Sequence, residues 1–103
     1  MRKLLSATAA LVLLTPASAA LAEDGETAYR EAQPGCGVCH DGGVAGAPKV
    51  GDADSWGDRL DASIDSLTKT VLEGKGAMPA YGGRMDEAKV RAAVEWMVEQ
   101  SQE

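Results

Sequence analysis

Apolar positions recur at helical spacing in two segments of the chain. Ile64, Leu67, Val71 and Leu72 follow i, i+3, i+7 and i+8, and Val90, Val94, Met97 and Val98 repeat in the same manner, so each set lines one face of a helix. Ser63 stands at the N-cap position of the first and Gly74 just past its end, while Asp86 precedes the second, which is expected to end near Gln100. A shorter helix is predicted from Asp24 through Glu26, Ala28 and Tyr29 to about Ala32, with Glu26 in the first turn and Pro34-Gly35 as the stop. Residues 55–61, around Trp56 and Leu60, read as a helical turn. Residues 41–54 and 74–84, rich in glycine, read as loops. No alternating run of Val, Ile and Thr is present to make a strand, so the expected fold is all-α: three to five short helices joined by long Gly-rich loops.

The chain has 103 residues, enough for one small domain. Its start has another purpose. Arg2-Lys3, the apolar run Leu4–Leu14, Pro16 and small residues at Ala17, Ala19, Ala20 and Ala22 are arranged as a cleavable secretory signal. That run is well short of the roughly 20 residues a membrane-spanning helix needs, so no transmembrane anchor is expected. Cleavage after Ala22, with Ala19 as the second choice, divides the chain into a signal over 1–22 and a mature domain over 23–103. The mature part keeps all 16 acids but loses Arg2 and Lys3, which leaves a charge near −8 and makes nucleic acid and anionic lipid poor partners. With no Phe, two Trp and two Tyr, so small a domain has little bulk for a core and is expected to need a staple or a bound group.

Cys36-Gly37-Val38-Cys39-His40 carries the chemistry. In an exported domain two cysteines usually form a disulfide, but a bridge across two intervening residues closes too short a loop to restrain the unfolded chain much. The pattern C-x-x-C-H is that of c-type haem attachment: two thiols on one helical turn reach the two vinyl groups of one haem, and the next residue offers an imidazole to the iron. His40 is the sole histidine of the chain. A thioredoxin-like dithiol needs a βαβ setting that is missing here, and a structural zinc site needs four Cys or His ligands where the chain holds three.

A second axial ligand has to come from elsewhere. Once Met1 leaves with the signal, Met78, Met85 and Met97 remain. Met97 lies on the apolar stripe of the last helix and Met85 stands beside its start as a hydrophobic staple, so both have structural readings. Met78 lies in the loop Gly76-Ala77-Met78-Pro79, where proline fixes the backbone and glycine permits close approach, and it is the better candidate. An open iron that binds small ligands is the other reading.

At these residues the chain resembles a class I c-type cytochrome, specifically the small bacterial cytochrome c5 group. The likeness covers about residues 25–98 and rests on Cys36–His40; on Ala47-Pro48-Lys49-Val50-Gly51-Asp52 with Trp56 and Arg59; on Ala77-Met78-Pro79; and on Ala92–Met97. It implies a small cytochrome c fold wrapped around one haem c, held by thioethers at Cys36 and Cys39, with His40 proximal and Met78 distal to the iron. It further implies that the Pro48 carbonyl accepts the His40 Nδ1–H bond, that Trp56 and Arg59 lie near the haem propionates, and that Trp96 packs across Gly25 and Tyr29. Some members of the group carry an extra cysteine pair before the last helix; here that loop reads Tyr81-Gly82-Gly83-Arg84 and contains none.

With both axial positions filled by protein, one-electron transfer is the expected function, and no catalytic base, nucleophile or substrate pocket points to an enzyme. His/Met ligation and burial both raise the potential. The expected protein is a soluble periplasmic carrier, monomeric or weakly dimeric. Its donor would be a membrane-bound quinol-oxidising complex and its acceptor a terminal oxidase or reductase, met through a rim of Val38, Val44, Ala45, Ala47 and Ala80. The competing readings are a cytochrome subunit dedicated to a periplasmic dehydrogenase or oxidase complex, and a haem-based sensor in which Met78 is labile.

Overall fold

A computed structural model describes residues 24–102; the expected signal segment 1–22 and its cleavage point lie outside the described residues. Among the described residues five α-helices follow one another: α1 Gly25–Glu31, α2 Gly37–His40, α3 Ala53–Trp56, α4 Ile64–Glu73 and α5 Glu87–Ser101. Two 3₁₀ turns, Val44–Gly46 and Gly57–Asp61, complete the order. The pairing of Lys75 with Met78 is an isolated bridge, and no sheet is present among the described residues.

The caps explain the boundaries. The Asp24 carboxylate accepts from Glu26 N at 3.1 Å and Thr27 N at 3.4 Å, and Ser63 Oγ accepts from Ser66 N at 3.0 Å, so both helices start where the pattern predicts. Asp86 occupies the N-cap of α5, but its side chain makes no capping bond. Two features depart from the loop expected over 41–54. Val44–Gly46 closes a 3₁₀ turn, and α3 begins at Ala53 because the Asp52 carboxylate accepts from Asp54 N and Ser55 N at 3.1 and 3.3 Å. The cap is local, so no periodicity over so short an element announces it.

α1 and α5 cross closely and form the structural half of the core. Ala28, Tyr29 and Ala32 meet Val90, Ala93, Val94, Met97 and Val98 in one buried cluster, and the Tyr29 and Trp96 rings lie 4.9 Å apart at 47°. α4 also packs on α5, with the exposed Arg91–Asp65 ion pair at their edge. The Tyr29 hydroxyl donates to the Asp41 carboxylate, which ties α1 to the end of α2; burial and that bond together raise the Tyr29 pKa well above its ordinary value. Ser101, fully buried, donates to Met97 O at 2.7 Å and accepts from Gly51 N at 3.0 Å, which pins the end of α5 to the loop after Pro48.

Candidate functional site

The remaining apolar surface does not close on itself but lines a cavity of about 390 Å³, within the range of ligand sites. Cys36, Cys39, His40 and Met78 all border it, so residues far apart in the chain converge on one space. α4 contributes Leu67, Thr70 and Val71 to the wall, and α5 contributes Val94 and Met97. Met85, by contrast, packs against the core and does not border the cavity.

One helical turn presents the first three groups. Cys36 is the N-cap of α2, and its carbonyl accepts from His40 N at 3.0 Å, so Cys36 and Cys39 lie one turn apart with His40 immediately after. Burial pushes the Cys36 thiol pKa up to about 11, so it is held as the neutral thiol at pH 7. His40 Nδ1 lies 2.8 Å from Pro48 O. A carbonyl can only accept, so Nδ1 is the donor there, which leaves Nε2 as the ring nitrogen that would ligate a metal.

Met78 is presented by a hydrogen-bonded turn. Lys75 N donates to Met78 O at 3.0 Å and Met78 N donates to Lys75 O at 2.9 Å, while Tyr81 N and Gly82 N donate to Val71 O and Leu72 O at 3.0 Å each. The loop is thus fastened to the end of α4. Tyr81, also on the cavity wall and buried, donates its hydroxyl to Pro34 O at 2.5 Å, linking the Met78 loop to the segment before Cys36. Gly74 turns the chain into this loop with φ +83°, and a Cβ there would stand 2.9 Å from Ala80 N and 3.0 Å from Met78 O. Gly74→Ala is therefore expected to displace the Met78 turn and to lower stability by about 1–3 kcal/mol, read as a lower thermal midpoint; an unchanged midpoint would show that the turn tolerates the shift.

Trp56 and Arg59 border the cavity as well, but in a different manner from each other. The Trp56 ring is buried and nearly parallel to the His40 ring, with centroids 6.1 Å apart. Its indole N–H donates to Lys49 O at 2.9 Å, so the donor that the resemblance aims at a propionate is committed to the backbone; a buried indole must satisfy its N–H, and the neighbouring loop carbonyl is nearest to hand. Arg59 is exposed, with only long contacts to Ser55 O and Trp56 O at 3.4 and 3.5 Å and no carboxylate partner among the described residues. Lys75, which no motif singles out, is the other cation on the wall among the described residues, and none of their acids borders the cavity. In a chain of net charge −6 that local bias suits a ligand with carboxylates. The donor set thus fits a haem c: two thiols one turn apart, an imidazole oriented by a backbone carbonyl, a thioether, apolar walls and two cations.

The profile of the family described as cytochrome c oxidase, cbb3-type, subunit III matches residues 20–97. Cytochrome c-551 of Halorhodospira halochloris is 45% identical over 76 residues, which span 73% of this chain and 95% of that protein. Cytochrome c5 of Azotobacter vinelandii is 40% identical over 63 residues, 57% of this chain and 76% of the relative. Among solved structures, reduced cytochrome c551 of Ectothiorhodospira halophila superposes with a TM-score of 0.69 at 46% identity, covering 75% of this chain and 99% of that one. A chain from the crystal structure of an electron transfer complex of nitrite reductase with cytochrome c gives a TM-score of 0.68 at 51% identity, covering 76% and 94%.

Proposed function

The chain belongs to the cytochrome c family, among the small class I monohaem cytochromes c that act as electron carriers, and from that membership we propose that it is a periplasmic carrier with His40 and Met78 as axial ligands. The observation that carries this reading is the convergence of Cys36, Cys39, His40 and Met78 on one apolar cavity. When bound, haem c supplies a one-electron couple between ferric and ferrous iron. The chain's own residues do the rest. Cys36 and Cys39 would anchor the group through thioethers, the Pro48 carbonyl orients the His40 ring, and the fastened Met78 turn would offer a soft thioether, a ligand that favours ferrous iron. Arg59 and Lys75 offset the propionate charges, and Trp56 packs as a wall, not as their donor.

Electron exchange takes place at an exposed edge. Val38 and Val44 are 68% and 53% exposed, the large apolar side chains left most open, and the exposed Ala45 borders the same cavity, whereas Ala80, also exposed, does not line it. Brief redox encounters use small interfaces, below about 1,200 Å², and a rim of valine and alanine suits one. The net negative charge favours a partner that is basic around its docking site, such as a periplasmic reductase or oxidase, with a quinol-oxidising complex as donor. Residues 1–22 are removed on export, and no helix among the described residues is long and apolar enough to cross a membrane.

The test is the visible spectrum of the exported protein, oxidised and reduced, with and without carbon monoxide. Sharp reduced α and β bands, a weak sulfur–iron band when oxidised and indifference to carbon monoxide are expected. A carbon monoxide shift would establish an open iron and a ligand sensor instead, and a second chain retained through purification would establish a dedicated subunit.

A further inference from the structure

The peptide group between Pro48 and Lys49 is hydrogen-bonded at both ends. Its carbonyl accepts from His40 Nδ1 at 2.8 Å, and its N–H, that of Lys49, donates to Ser55 Oγ at 2.8 Å. Carbonyl and N–H are conjugated within one planar unit, so a bond made at the N–H moves electron density onto the oxygen and strengthens it as an acceptor. The Ser55 hydroxyl proton is directed onward to Asp52 O at 2.9 Å, with Lys49 O a longer alternative at 3.4 Å. The donors therefore run in one direction, from the imidazole through the peptide and the serine to the Asp52 carbonyl, which is the arrangement in which successive bonds polarise one another.

This chain is held in place on both flanks. The Asp52 carboxylate caps α3 and accepts from Ser55 N, which positions the serine at the third residue of that helix. The Trp56 indole holds the next carbonyl, Lys49 O, at 2.9 Å, and the buried Ser101 holds Gly51 N at 3.0 Å. The loop's backbone is thus fastened at successive residues, and the Pro48–Lys49 peptide is not free to rotate away from His40.

We propose that Ser55, which does not border the cavity, is a positioning residue that sets the electron-donating strength of His40 through the Pro48–Lys49 peptide and thereby lowers the reduction potential of the site. The inference rests on His40 being the iron ligand. A stronger acceptor at Pro48 draws the Nδ1 proton outward and gives the ring more imidazolate character, which stabilises the ferric form. Loss of the Ser55 hydroxyl leaves the Lys49 N–H without that partner, weakens the Pro48 acceptor and raises the potential.

The experiment compares the haem-loaded wild-type protein with Ser55→Ala and Ser55→Thr. Three quantities are read: the midpoint potential, the proton resonance of His40 Nδ1–H in the reduced protein, and the thermal midpoint. Ser55→Ala is expected to raise the potential and move the Nδ1–H resonance upfield with the axial-ligand bands unchanged, and Ser55→Thr, which keeps the hydroxyl, is expected to restore both. A Ser55→Ala protein with a lower thermal midpoint but wild-type potential and Nδ1–H resonance would overturn the proposal and leave Ser55 a loop clasp. Failure of threonine to restore either quantity would overturn it too. A wild-type spectrum without low-spin imidazole ligation would instead remove the His40 reading on which it stands.

Discussion

Met78→Ala is expected to leave the haem covalently attached while abolishing the sulfur–iron band, lowering the potential and opening the iron to carbon monoxide. The thioether is the soft ligand that favours ferrous iron, and axial ligands govern haem potentials over a range of about 0.8 V, so the fall should be the largest single-residue effect on the couple. Attachment should survive because Cys39 and His40 stand on α2 with Cys36 at its N-cap, and their turn is closed by the Cys36 carbonyl and the Pro48 bond, neither of which involves the Met78 loop. Met97 supplies the control. It also borders the cavity, but it is buried in the α1–α5 cluster on the apolar stripe of the last helix. Met97→Ala should therefore cost stability, about 2–5 kcal/mol for a truncated core methionine, with the sulfur–iron band retained. The reverse outcome, with the band lost in Met97→Ala and kept in Met78→Ala, would exchange the two assignments.

How far these roles were legible depended on the range of the interaction behind each. α4 and α5 follow from apolar spacing, and α1 and α4 from caps within three residues of the helix start, so the bounds of all three agree with the pattern to about one residue. Cys36, Cys39 and His40 are contiguous and carry their chemistry in their spacing. Ser55 and Lys75 gave no such signal: the first acts through a backbone amide six positions earlier, and the second is one lysine among others until the fold brings it to the cavity wall. Trp56 was the reverse case. The resemblance implies a place near the propionates for it, and only the folded loop shows that its N–H donates to the Lys49 carbonyl. Tyr81 likewise reaches across 47 positions to Pro34, a separation that no periodicity encodes.

The crossing of α1 and α5 is where a single added methyl group should do the most damage to the fold. A Cβ on Gly25 would stand 2.5 Å from Ala92 O and 2.6 Å from Trp96 Cβ, and neither atom can be rotated aside, because one is backbone and the other is fixed to it. Gly25→Ala must therefore push the helices apart at their tightest point, beside the Tyr29–Trp96 contact. The loss is expected to be about 1–3 kcal/mol, the usual range for overpacking, less the few tenths that alanine regains as a better helix former near a helix end. For a domain of this size that is a fall of roughly 5–20 °C in the thermal midpoint, read on the haem-loaded protein by far-ultraviolet circular dichroism. Because α5 also brings Val94 and Met97 to the cavity wall, separating the helices should loosen the site as well, and the sulfur–iron band should disappear at a lower temperature than in the wild type. Gly42→Ala is the matched control: nothing lies within 4 Å of its added Cβ, and it should shift neither midpoint. Equal midpoints for Gly25→Ala and the wild type would mean that the two helices do not meet at Gly25 in solution.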